Sequence, residues 1–371
     1  MVDINEIKLP VADLFCGAGG LSLGLKRAGF TPVFATDLDP YACATYEANL
    51  GEHVRKCSAA QLSASLICDE TGLVPGQLAL VCGGPPCQGF SIQRRGKRAD
   101  ERNSLVIDFA TIAVGLRPAF ILIENVPTLF GARGRTELSQ ALEGMREAHY
   151  EHAARVLDAA DYGIPQHRRR AFVVAWRSED VHGFLFPKPT HDEFSYETVA
   201  DALRGLPEPL DEFTMHPDFH NHIRVKISAI NEERISHVPR GGGRTDLPEH
   251  LQLRCHKKAN GHRHLDVFGR MEWGKPAPTI TAMFDNFTRG RFAHPDQNRC
   301  ITAREGARLQ GFPDTFAFRG PKKDVARQIG NAVPPLLAQR IGEAIAASLL
   351  GQYRTPRQLS LPMASEARPL K

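Results

Sequence analysis

DLFCGAGGLSLGL, residues 13–25, decides how this chain folds. LPVADLF, which leads into it, has the apolar character of a buried strand, and LSLGLKRAGF, which follows, has the spacing of an amphipathic helix. Between them Gly17, Gly19 and Gly20 make a turn. Glycines there let the backbone approach a ligand closely, and the helix N-terminus offers unpaired N–H groups to an anion. The spacing stops short of G-x-G-x-x-G because Ser22 stands at the third glycine position. That counts against a dinucleotide; a smaller ligand with a carboxylate, an adenine and a ribose fits as well.

Downstream the alternation continues. PVFATDL reads as a strand, PYACATYEANL as a helix, QLALVCGG as a strand, SLVIDFATIAVGL as a helix and AFILIENV as an apolar strand. ELSQALEGMREAHYEHAARVLDAADY reads as mostly helical and RRAFVVAW as a further strand. Strands separated by helices predict an α/β fold, a parallel sheet with helices on both faces. The Pro-rich FPKPTHDEF marks a boundary near residue 190, after which periodicity fails as far as about Pro295. This predicts a first domain over 1–190, a smaller loop-rich domain over 191–320, a returning helical segment over 321–350 and a disordered tail over 351–371.

The full chain has 371 residues with 42% apolar and 24% charged, enough for a large core and a second domain. No apolar run approaches a membrane span, and the acidic N-terminus lacks the pattern of a signal peptide. Eight cysteines without scaffold spacing predict reduced thiols in the cytoplasm. Net charge is only +4, but arginines cluster: 94, 95, 98 and 102 with Lys97; 168–170; and 289, 291, 299, 304 and 308. Such clusters beside candidate sites favour a polyanionic partner.

Three further stretches carry chemistry. In VCGGPPCQGFS (81–91), Gly83 and Gly84 are expected to break the strand, and Pro85 and Pro86 stiffen a loop that presents Cys87. IENVP (123–127) places Glu124 and Asn125 just past a strand, where one-sided desolvation raises a carboxyl pKa toward neutrality. GIPQHRRR (163–170) puts Arg168 and Arg170 at period two, on one face, with Arg169 opposite. Asp37 and Asp39 end the second strand, where a carboxylate could accept from ribose hydroxyls; Asp39 before Pro40 reads better as a helix cap. Phe15 could stack on an adenine or lie in the core.

DLFCGAGG, PPCQGFS, ENV, YGIPQHRRR, REGARLQGFPD and QIGNAVPP occur in this order, and the set resembles the ordered motifs of DNA (cytosine-5)-methyltransferases of bacterial restriction-modification type. The resemblance runs from about Leu9 to about Leu349 except in the middle. It implies a Rossmann-like methyltransferase sheet with a target-recognition domain, and S-adenosylmethionine as cofactor. Cys87 would be the nucleophile, Glu124 the acid at cytosine N3, and Arg168 and Arg170 the pair holding the base and the glutamate. Phe15, Gly17, Gly19, Gly20, Leu21, Asp37, Leu38, Pro85 and Asn331 would line the cofactor pocket. Where the family often has an aspartate on the adenine amine, Lys56-Cys57-Ser58 offers none.

The target base must be flipped out of the duplex to be reached. The basic loop after Cys87 is expected to close over DNA, with Ser91, Arg94 and Arg95 on phosphates and Gln93 near the vacated space. Thr279 and Ile280 resemble the recognition domain's Thr-Ile pair. Double-stranded DNA is the implied partner, with a restriction endonuclease of the same site beside it and the enzyme itself a monomer. Cys255, His256, His262 and His264 suggest zinc, but their spacing matches no standard pattern, so no metal is expected. The competing readings are a tRNA cytosine-5 methyltransferase, a catalytically silent DNA-binding relative and a nicotinamide-dependent oxidoreductase. The intact Cys87, Glu124 and arginine set argues against the second, and Ser22 with the PPCQ loop against the third.

Overall fold

The computed structural model describes residues 9–58, 61–86, 105–132, 134–253 and 265–351. Its first half alternates β1 (Leu9–Leu14), α1 (Gly20–Arg27), β2 (Phe30–Asp37), α2 (Pro40–Leu50), β3 (Val54–Lys56), α3 (Ala64–Thr71), β4 (Leu80–Gly83), α4 (Leu105–Leu116), β5 (Phe120–Asn125) and α5 (Arg135–Glu147), then β6 (Tyr150–Asp158) and β7 (Arg169–Arg177). The strands form one seven-stranded sheet in the order β3-β2-β1-β4-β5-β7-β6. β1 to β5 pair in parallel, whereas β7 runs antiparallel to both β5 and β6.

Period-two alternation along the central strands sorts their side chains onto two buried faces. Val11, Leu80, Cys82, Phe120, Leu122, Phe172 and Val174 lie on one, with Leu21 and Leu25 of α1. Ala12, Leu14, Val81, Ile121, Ile123 and Val173 lie on the other, with Val106 and Phe109 of α4 and Leu138 and Met145 of α5. The expected α/β sheet covered on both faces is the one observed, but it is not parallel throughout: β6 and β7, joined without a crossover helix, close it with antiparallel pairs.

Four local expectations change. YEHAARVLD is strand β6, not helix: it is an edge strand with only Tyr150 and Leu157 buried, so helix-forming alanine, glutamate and arginine are tolerated and no clean alternation betrays it. Segment 51–76, unassigned from sequence, holds β3 and α3, the latter capped by Ser63 and ended by Gly72 in the left-handed region. Gly83 does not break β4 but ends it, and a Cβ there would stand 2.0 Å from the Leu14 carbonyl. Glu124 and Asn125 are the last residues of β5 rather than beyond it.

The second half is sparse in regular structure: α6 (Val199–Leu203), α7 (Ala229–Ser236) and α8 (Ala303–Leu309), with short 3-10 turns between. Ile235, Val238, Leu247, Phe268, Phe287, Ala293 and Cys300 make a small core of its own. Irregular backbone leaves carbonyls without ladder partners, and buried arginines supply the donors. Arg270 donates to the carbonyls of Val238, His294, Gln297 and Ile235 at 2.7–2.8 Å.

This corrects the reading of the late arginine cluster. Arg299 and Arg304 are 2% and 0% exposed. Arg299 forms a two-pronged pair with Glu305 at 2.7 Å, and Arg304 donates to the carbonyls of His220, Pro313 and Phe316. Arg291 caps the carbonyls of Gly241 and Gly242, and Arg308 pairs with Asp314. Of these five, Arg289 is left exposed.

The chain returns through α9 (Lys322–Asn331) and α10 (Pro335–Leu349). What reads as one helical stretch is two helices, because Pro334 and Pro335 cannot continue α9. Leu337, Ile341 and Ile345 of α10 join the core on the α1 face of the sheet.

Candidate active site

Strand order reverses between β1 and β4, so their connections diverge and leave a crevice beyond the strands' C-terminal ends, where α/β sheets hold ligands. Leu14 and Gly83 pair in register at that edge. The glycine turn leaves from β1, the Gly84-Pro85-Pro86 loop from β4, and the carboxyl of Glu124 ends the neighbouring β5.

In the turn, Phe15, Gly17 and Gly19 have φ of 63°, 54° and 91°. Gly17 N–H donates to Asp37 Oδ2 at 2.8 Å and Asp39 N–H to Asp37 Oδ1 at 2.9 Å, so the end of β2 holds the turn. Burial raises the Asp37 pKa against these two bonds. Asp39 caps α2 through Tyr41 N–H, as its position before proline suggests. Among the described residues, a Cβ on Gly17 would meet nothing within 4 Å and no side chain caps α1. The turn is open beside Gly17, although the Gly17 and Gly19 N–H groups are taken by Asp37 and the Cys16 carbonyl, so the donors it can offer are those of the first turn of α1. Leu38 is 65% exposed beside it.

Other expected pocket residues divide by what remains free. The Leu21 side chain is in the core, leaving its backbone at the first turn of α1. Gly20 packs on the Val333 carbonyl, 2.3 Å from where a Cβ would stand, and Phe15 is half-buried. Pro85 is buried and its carbonyl accepts from Asn125 Nδ2 at 3.1 Å. Asn331 is exposed at the end of α9. Ser58 Oγ donates to Gln61 Oε1 at 3.0 Å, beside the end of β3.

Glu124 is 7% exposed. Its Oε1 lies 3.1 Å from Arg170 Nε, and its Oε2 faces Gly84, where a Cβ would come within 3.1 Å. Burial raises its pKa; Arg170 and, more weakly, Arg168 pull it down without cancelling that rise. A carboxyl so placed keeps its proton to higher pH than a solvated one. Asn125 ties the same strand end to the Pro85 loop that leads to Cys87. That Asn125 bond is a positioning contact the sequence pointed to only as the middle of ENV.

The two arginines that read as a pair do different things. Arg170 touches Glu124. Arg168 is fully enclosed, just ahead of β7, and donates to the carbonyls of Ile280, Gly330 and Ala332 at 3.0, 2.9 and 2.8 Å. It influences Glu124 by charge, while its terminal nitrogens bind backbone.

Thr279 is half-buried, its hydroxyl donating to the His167 carbonyl at 2.7 Å. The Ile280 side chain is 0% exposed within an apolar cluster that also holds Phe284 and Ile329. That side chain thus anchors the segment in the core. Cys87, Ser91, Gln93, Arg94 and Arg95, the Cys255–His264 group and the tail beyond 351 lie outside the described residues. Among the described residues no group of histidines, cysteines and carboxylates could hold a metal ion, and no helix is long and apolar enough to cross a membrane.

Comparison with known proteins places this geometry. The family model described as C-5 cytosine-specific DNA methylase matches residues 9–347. Type II methylase M.HgiDII of Herpetosiphon aurantiacus is 34% identical over 353 residues, covering 94% of this chain and 98% of that protein. Type II methyltransferase M1.HphI of Haemophilus parahaemolyticus is 35% identical over 346 residues, covering 91% and 87%. A solved DNA modification methyltransferase encoded within an E. coli prophage superposes with a TM-score of 0.68 at 29% identity, over 92% of this chain and all of that one. Dnmt2 of S. pombe, at 17% identity and a TM-score of 0.59 over 93% of this chain and 99% of that one, shares the fold. With the match spanning nearly the whole chain and the relatives matched along most of their length, this protein belongs to the C-5 cytosine-specific DNA methylases and is a DNA cytosine-5 methyltransferase.

Proposed function

We propose that the enzyme methylates C5 of a cytosine flipped out of a specific double-stranded DNA site, with Cys87 as transient nucleophile and S-adenosylmethionine as donor. One observation carries this reading most: a buried carboxyl, Glu124, is held by Arg170 at the strand end that also anchors the loop leading to Cys87.

Cytosine C5 is a weak nucleophile. Addition of the Cys87 thiolate to C6 moves the ring's π electrons toward N3 and makes C5 enamine-like. Glu124, whose burial favours the protonated form against the pull of Arg170 and Arg168, gives a proton at N3 as charge develops there. Arg170 holds Glu124 and, in this reading, donates to the C2 carbonyl of the base. Loss of the C5 proton, to water, then expels Cys87 by β-elimination and restores the thiolate, and the N3 proton returns to Glu124 as the ring regains its aromatic form. S-adenosylmethionine, when bound, supplies an electrophilic methyl group on a sulfonium. The open glycine turn with Gly17 and Gly19, the uncapped start of α1, the Asp37 carboxylate and the exposed Leu38 suit such a molecule. Thr279 belongs, in this reading, to target recognition; Ser91, Gln93, Arg94 and Arg95 to the DNA backbone and the vacated space. A monomer working beside a restriction endonuclease of the same site completes it.

The test begins in cells without cytosine methylation. Bisulfite sequencing after expression identifies the methylated motif, and a duplex with 5-fluorocytosine at that position is then incubated with protein and S-adenosylmethionine. A covalent complex is expected with wild type and none with Cys87→Ala. Failure of wild type to be trapped, or methylation by the alanine variant, overturns the mechanism.

A further inference from the structure

Gln166 and Gln310 are wholly buried and join stretches far apart in sequence. Gln166 Oε1 accepts from Ile280 N–H at 2.7 Å, and its Nε2 donates to the Leu309 carbonyl at 3.1 Å and to Gln310 Oε1 at 2.9 Å. Gln310 Nε2 donates in turn to the Ile329 carbonyl at 2.6 Å. Backbone bonds run alongside: His167 N–H to the Ala277 carbonyl and Ala277 N–H to the Pro165 carbonyl, both at 2.9 Å. On the opposite side Gly330 lies so close that a Cβ would stand 2.2 Å from the Thr281 carbonyl carbon and 2.3 Å from Ala282 N. Residues 277–282 are thus gripped between the start of β7 and the end of α9.

A grip made of apolar contacts would tolerate sliding along the chain. One made of amides does not, because each glutamine must present donor and acceptor to fixed partners, and a shift of one residue leaves buried groups unpaired. The gripped stretch leads directly into Met283, Asn286, Thr288 and Arg289, all exposed. At its other end, Arg170 lies on the same strand start and holds Glu124.

We propose that Gln166 and Gln310 are positioning residues: their amide latch fixes the register of residues 277–282 against the Glu124–Arg170 pair and thereby sets how strictly the enzyme discriminates its DNA sequence. This rests on the assignment of Thr279 and the residues after it to target recognition.

Wild type, Gln166→Ala, Gln310→Leu and Thr279→Ala are expressed in a host without cytosine methylation, at levels that leave the motif partly modified. Bisulfite sequencing then gives the ratio of methylation at sites one base pair away from the motif to methylation at the motif. Gln166→Ala is expected to raise that ratio about tenfold, the effect of losing one discriminating contact, and Gln310→Leu by a smaller factor. Loss of folded protein lowers both kinds of site together and leaves the ratio alone, so a purely structural role would not move it. If Gln166→Ala yields no active protein, Gln310→Leu, which leaves the Gln166 bonds to Ile280 and Leu309 in place, decides. An unchanged ratio in the glutamine variants overturns the latch. A ratio that rises only in Thr279→Ala overturns the latch while keeping the recognition assignment, and one unchanged in all three variants overturns both.

Discussion

Glu124 sits between opposing influences. Burial raises its pKa, and Arg170, then Arg168, lower it. Its carboxyl can give a proton only while protonated, so the rate of methyl transfer should fall as pH rises through that pKa. Arg170→Met removes the larger lowering influence. The alkaline decline should therefore move to higher pH, while the plateau drops about a hundredfold through loss of an aligned donor. Single-turnover methylation measured across pH checks both. A decline that stays in place, or moves downward, would mean that Glu124 is not the acid. At this scale the sequence was informative about identity and less so about environment. ENV pointed to Glu124 and QHRRR to Arg170, but nothing local says that Arg168 faces three carbonyls and Arg170 a carboxylate.

At the scale of elements, β1, α1 and α2 are joined by a buried chain of polar groups. Ser22 Oγ donates to Asp13 Oδ2 at 2.6 Å, Tyr46 OH to Ser22 Oγ at 2.9 Å, and Tyr46 OH pairs with His53 Nε2 at 3.0 Å. Ser22, at the third glycine position, thus has a structural task. Burial pushes the Asp13 pKa to about 7, with the Ser22 hydroxyl opposing and the charge of Asp37 adding to it. A carboxyl whose folded pKa lies above its unfolded value stabilises fully at low pH. Its contribution declines as pH rises from the unfolded pKa to about 7, and is constant above. Asp13→Asn retains an acceptor for Ser22 without the charge. It should gain on wild type by on the order of 2 kcal/mol between pH 5 and 7.5, read from urea midpoints at both. An equal difference at the two pH values would mean that Asp13 titrates normally. Strand β6 shows the opposite limit of local reasoning: only pairing with β7 makes it a strand.

The whole molecule is held together across its irregular half by buried arginines. Arg168 joins the sheet to Ile280, to Gly330 in the last turn of α9 and to Ala332 just beyond it. Arg168→Met would leave three buried carbonyls without donors and should cost about 3 kcal/mol in denaturant unfolding. Because those carbonyls belong to distant segments, the loss should appear as lowered cooperativity between the two halves as well as a lower midpoint. A variant as stable as wild type would show that water satisfies these groups. The latch of Gln166 and Gln310 runs parallel to this arginine, which is why the glutamines, and not Arg168, are the place to test discrimination.

The parallel alternation, the glycine turn, the carboxyl at the end of β5 and the ordered motifs were determined by sequence alone. Each depends on residues adjacent in the chain: apolar period, glycine φ, a proline that stops a strand or caps a helix. What the arginines do was decided only in three dimensions. Arg168, Arg299 and Arg304 read as charge for a polyanion and are instead buried donors, as is Arg270, which lies outside the clusters read from the sequence. The difference lies in the partners. A guanidinium's energy depends on whether carbonyls or a carboxylate surround it. For Arg168, Arg270 and the Arg304 bond to His220 those groups arrive from segments tens to more than a hundred residues away, while Arg299 finds its carboxylate six residues on, across an irregular turn.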